Sequence, residues 1–88
     1  MTTKLDLRAQ RIVAIGELLY GERWQRRLAD ALSVSPQLVN FVATGERAVT
    51  ADLEGRVVEF LKAEIKRLGR TADSLDSIRR EISRELRG

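Results

Sequence analysis

The stretch from Gln25 to Gly45 constrains this chain more than any other. Near its middle stands Ser35-Pro36, a pair that opens a helix. The serine oxygen accepts from free N–H groups of the first turn, and proline fits the first helical position because no N–H is needed there. Leu28, Leu32, Val34, Val39 and Val42 are spaced to enter one small core from both sides of that cap. The spacing predicts two short helices, about Trp24 to Leu32 and Pro36 to Thr44, joined by a tight turn at Ser33. Ala29 supplies the small side chain needed where two such helices cross closely.

This arrangement reads as a helix-turn-helix, whose second helix enters the major groove of DNA. Residues 24–50 resemble the helix-turn-helix of the phage lambda repressor and Cro family. The similar residues are Gln25 at the start of the first motif helix, Leu28-Ala29-Asp30 within it, Val34-Ser35 before the second helix, and Gly45 after it. Thr44-Gly45-Glu46-Arg47-Ala48-Val49-Thr50 is similar to the family's exit loop, which runs beside the phosphates. Two residues depart from the pattern. Ser33 stands where glycine is usual in the turn, and Phe41 stands where many relatives carry a polar residue. The resemblance implies an all-α, lambda-repressor-like domain of five helices, here with a long fourth helix and a C-terminal amphipathic helix.

Composition narrows the chemistry. The chain has 88 residues, enough for one small domain that would gain from a partner subunit. It has no cysteine and no histidine, which removes thiolate and imidazole chemistry and the commonest metal ligands. The acidic residues are scattered among arginines, with no carboxylate pair isolated in an apolar setting. We therefore expect neither an enzyme nor a bound metal or cofactor. The net charge of +3 permits a nucleic-acid partner without demanding one. Only three of the 16 basic residues are lysine; the rest are the planar forks that suit phosphate and guanine. No run approaches a membrane span, and no apolar signal core follows Met1, so a cytoplasmic protein with no membrane partner is expected.

The rest of the chain reads as further helices. Leu7, Ile12, Ile15, Leu18 and Leu19 predict a helix from about Asp6 to Tyr20 with a broad buried face, broken at Gly21-Glu22. Lys4, Arg8 and Arg11 lie near its start, either against a DNA backbone or in solvent. Trp24 is expected as a packing anchor between this helix and the next, rather than as a stacking platform for bases. Thr50 caps a long amphipathic helix to about Leu68, built on Leu53, Val57, Phe60, Leu61, Ile65 and Leu68. Gly69 to Asp73 reads as a break, dividing residues 1–68, the DNA-binding domain, from residues 69–88. A last helix then carries one thin stripe, Leu75, Ile78, Ile82 and Leu86, for dimerisation. The stripe folds back on Phe60, Leu61 and Ile65, packs on a second subunit, or does both at once.

These placements give a candidate site. Gln37 and Asn40 share one face of the recognition helix and suit the N6 and N7 groups of adenine. Pro36 and Phe41 flank them, with Phe41 set either to touch a thymine methyl or to fill the seam between helices. Gln25, Arg26, Arg27, Ser35, Thr44 and Arg47 are candidates for phosphate contacts. The expected function is a sequence-specific regulator of transcription, a repressor that binds a pseudo-palindromic operator as a homodimer, with half-sites about one DNA turn apart. An antitoxin or antiactivator on the same fold, with a toxin or activator as protein partner, is the competing reading.

Overall fold

The computed structural model describes residues 5–88, so Lys4 lies outside the described residues. Helix α1 spans Leu7–Tyr20, α2 Trp24–Leu32, α3 Pro36–Thr44 and α4 Ala51–Arg87. A single 3-10 turn, Gly21–Arg23, links α1 to α2. The chain is all-helical, with three helices in its first part and one long C-terminal helix.

Three of the four helices begin on a side-chain cap. Asp6 accepts from the Ala9 N–H at 2.9 Å, Ser35 from the Leu38 N–H at 3.1 Å and Thr50 from the Leu53 N–H at 3.2 Å. Each satisfies a donor that the first turn leaves orphaned. At α2 the position before the helix is Arg23, which provides no such bond.

The core lies where α1, α2, α3 and the first turns of α4 meet. Leu28, Ala29, Leu32, Val39 and Val42 fill its centre, with Val34 and Leu38 half-buried at its edge. Val49, in the loop before α4, joins them, followed by Leu53 and Val57. On α1 the buried face is narrower than the apolar spacing suggests. Ala9, Ile12 and Gly16 are buried, whereas Leu7 and Leu18 are exposed. Against Gly16 lies the indole of Trp24. A Cβ built on Gly16 would come far closer to the Trp24 ring than contact allows. Trp24 is thus the anchor between α1 and α2.

Helix α4 corrects the expected break at residues 69–73. It runs without interruption through Gly69 to Arg87, so residues 69–88 form no separate fifth helix. One interior glycine costs a helix only about 1 kcal/mol. No proline follows, and pairs one turn apart, such as Arg79 and Arg80 with Asp76, support the helix beyond it. The same continuity excludes a fold-back onto Phe60, Leu61 and Ile65. Glu64 is the buried charged residue where α4 leaves the core. The hydrogen bond from Arg67 holds its carboxyl below the usual carboxylate range, against the opposing effect of burial. Past that point the helix projects, and the molecule reaches 61 Å in its longest dimension.

Replacing Gly16 by alanine tests the close approach to Trp24. Helix propensity alone favours alanine, but overpacking against the indole should cost about 1–3 kcal/mol in urea unfolding. The fluorescence of the single tryptophan should report the disturbed contact. A gain in stability would show that the two helices are not that close.

Candidate functional site

The corner between α2 and α3 determines what the site presents. Ser33 closes α2 in the left-handed region, at φ 58° and ψ 43°. It is the sole non-glycine residue among the described ones with positive φ. Its N–H donates to the Asp30 carbonyl at 3.2 Å, and the Val34 N–H donates to the Ala29 carbonyl at 3.0 Å. The last carbonyls of α2 are therefore satisfied in one tight turn, two residues before the Ser35 cap of α3. A serine bears the backbone conformation for which glycine is preferred.

Ala29 is fully buried under this corner. The crossing brings the start of α2 within reach of the middle of α3. There the Asn40 side-chain amide donates to the Gln25 carbonyl oxygen at 3.0 Å. Two residues assigned separate tasks by their positions, base reading for Asn40 and phosphate contact for Gln25, are thus one hydrogen-bonded pair. Each keeps free groups: one N–H and the carbonyl oxygen on Asn40, the whole NH₂ on Gln25. Gln37, one turn before Asn40, is exposed, as are Pro36 and Thr44.

The exit from α3 is fastened by a contact that helical spacing does not disclose. The Arg47 guanidinium lies over the Phe41 ring, 5.5 Å from its centroid, and the Arg47 N–H donates to the Phe41 carbonyl at 3.1 Å. Such a cation–π contact is worth about 0.5–1 kcal/mol at an exposed site. Phe41 is half-buried with one face covered, and Arg47 is held close to the end of α3. Gly45 permits this turn by taking φ 84°. The Thr44 hydroxyl donates back to the Phe41 carbonyl at 3.3 Å, leaving its lone pairs open.

The remaining candidates stay local. The Ser35 oxygen is used by its own helix cap. Arg26 and Arg27 are exposed on α2, and with Tyr20, Glu22, Arg23 and Asp30 they line a shallow depression. Arg23 was not among the expected site residues; it lies in the 3-10 turn that leads into α2. Leu75, Ile78, Ile82 and Leu86 are all exposed and make no contact with the core. Among the described residues no cluster of acidic side chains could hold a metal ion, and no helix is long and apolar enough to cross a membrane.

Comparison with protein-family models, with characterised proteins and with solved structures finds no match to this chain.

The left-handed corner carries its own test. Replacing Ser33 by glycine should stabilise the protein by about 0.5–1 kcal/mol, since the relief of left-handed strain exceeds the added freedom of the unfolded chain. Thermal or urea unfolding measures it. A loss of stability would mean that residue 33 does not adopt this backbone.

Proposed function

We propose that the protein is a sequence-specific double-stranded DNA-binding regulator of transcription, a repressor that acts as a homodimer on a pseudo-palindromic operator. On this reading α1, α2, α3 and the first turns of α4 are a variant of the lambda repressor and Cro type of domain, in which the fourth and fifth helices are one. The observation that carries the reading is the corner itself. A tight turn at Ser33 crosses α2 over α3 and leaves Gln37, Asn40 and Thr44, neutral and hydrogen-bonding, on the exposed side of α3.

The pair Gln25–Asn40 adds to it. Gln25 orients the Asn40 amide without exhausting it, so Asn40 can still donate to N7 and accept from N6 of one adenine. Gln25 in turn keeps its NH₂ for a phosphate oxygen. It stands at the start of α2, the helix whose first N–H groups no side chain caps. The positive end of a helix suits an anion, and Arg26 and Arg27 are in the same turn. Arg47, braced on Phe41, is the phosphate contact on the far side of α3.

A second reading rests on a different observation. The exposed apolar stripe of α4 would also suit a foreign helix, as in an antitoxin or antiactivator. The neutral, polar face of α3 counts against a fold that has given up DNA.

Selection of bound fragments from random DNA tests the proposal, with a defined sequence motif as the expected result. Replacing Gln37 or Asn40 by alanine should cost about 1–3 kcal/mol on that motif and relax base choice there. Replacing Arg47 by alanine should instead weaken binding to all sequences and reduce the salt slope by about one. No enrichment of any sequence, with equal losses on random DNA, would overturn the reading.

A further inference from the structure

We infer that the projecting half of α4 pairs with the same segment of a second copy in antiparallel orientation, holding the two heads at opposite ends of the seam. The inference deepens the homodimer of the proposed function, but the seam itself does not depend on DNA binding.

The first observation is that the buried face and the free stripe of α4 are one face. Leu53, Val57, Phe60 and Glu64 pack toward the head. Leu68, Leu75, Ile78, Ile82 and Leu86 continue from them in steps of three and four, with Thr71 filling the one gap. Steps of four outnumber steps of three, so the period is nearer the 3.6 of a straight helix than the 3.5 of a left-handed coiled coil. The stripe therefore does not wind round to another side as the helix leaves the core. It stays on the side of α4 where its own head lies.

The second observation is the free area. The five tail side chains from Leu68 onward are between 42% and 84% exposed. With Ile65 and the stems of the flanking arginines, they offer on the order of 700 Å² per chain, near the roughly 800 Å² per partner of a stable pair. Most of the stability of a helix in a protein comes from packing of its apolar face, and this part of α4 has none within its own chain. The tail's own ion pairs, Arg79 and Arg80 with Asp76, favour the helix over a break by about 0.2–0.5 kcal/mol each, too little to replace packing of its apolar face.

Together these settle the orientation. Packed helices run about 8–10 Å apart. Across the long axis the molecule measures 28 × 20 Å. In a parallel pair both heads would occupy the same end, on the seam side, in a gap no more than half the width of the molecule. In an antiparallel pair each head lies beyond the C-terminal end of the partner's helix. Pairing about the middle of the stripe sets Leu75 against Ile78 of the partner subunit, and Ile82 against Thr71 of the partner subunit. It also brings Arg67, which already holds Glu64 of its own chain, near Glu85 of the partner subunit.

The head-to-head distance follows from helix rise. The seam centre is about 20 residues from the middle of the core-packed turns, so the two heads are roughly 60 Å apart. That is too far for half-sites one DNA turn apart and near the spacing of two.

The chain has no cysteine, so Arg87→Cys gives a single position for a nitroxide label. Sedimentation should show a dimer, and pulsed electron–electron resonance should read roughly 30 Å between labels, set by the rise of two helices running opposite ways. A distance under about 15 Å would mean a parallel seam and overturn the inference while leaving the dimer intact. A monomer, at concentrations where the distance is measured, would overturn both. The double variant Ile78→Asp, Ile82→Asp should abolish the dimer with its head still folded by tryptophan fluorescence. If it remains dimeric, the seam lies elsewhere.

Discussion

The candidate surface depends on the left-handed backbone of Ser33. Without it α2 would run on or end loosely, and α3 would have no fixed angle to it. With it, the Ala29 and Asp30 carbonyls are satisfied within the turn, and α3 starts two residues later on its own cap. The strain of a serine at positive φ is offset by what the corner closes over: Leu28, Val39 and Val42, each almost inaccessible to solvent. Asn40 reaches Gln25 only because this crossing is tight.

Much of the head can be read from residue types, because its determinants are local. Caps at Ser35 and Thr50, a proline at the first helical position and a small residue at the crossing all act over one turn of helix, and the observed ends of α2 and α3 coincide with those expected. Ser33 could be singled out as strained for the same reason. What spacing could not reveal were contacts between elements. Gly16 looks like an ordinary weak point in α1 until Trp24 is seen against it. The bracing of Phe41 by Arg47 likewise joins a helix to a loop across a glycine turn.

The misreading of residues 69–73 has a different origin. Gly69, Thr71 and Asp73 are each poor in a helix interior, and together they look like a loop. Their combined cost is a few kcal/mol at most, spread over a segment with no proline and with ion pairs on its far side. A break also needs somewhere for the chain to go. A returning helix would have to cover Phe60 and Leu61, yet these already pack against the core from their own side of α4. Continuation was the alternative that displaced nothing.

That continuity changes what a dimer of this protein can be. Short helices docked side by side would let two heads meet closely and read adjacent turns of DNA. A rod of 37 residues places its free apolar surface far from the head and keeps it on the head's own side. The head then occupies the space where a parallel partner would approach. In the proposed dimer, the same face that secures α4 to its core dictates, further along, which way the second copy runs. Since the helix carries no proline or other interruption to absorb a change of direction, the separation of the two heads is set by the position of the seam rather than by a flexible linker. The spacing of any paired sites is then fixed by where Leu75 and Ile78 lie along the helix.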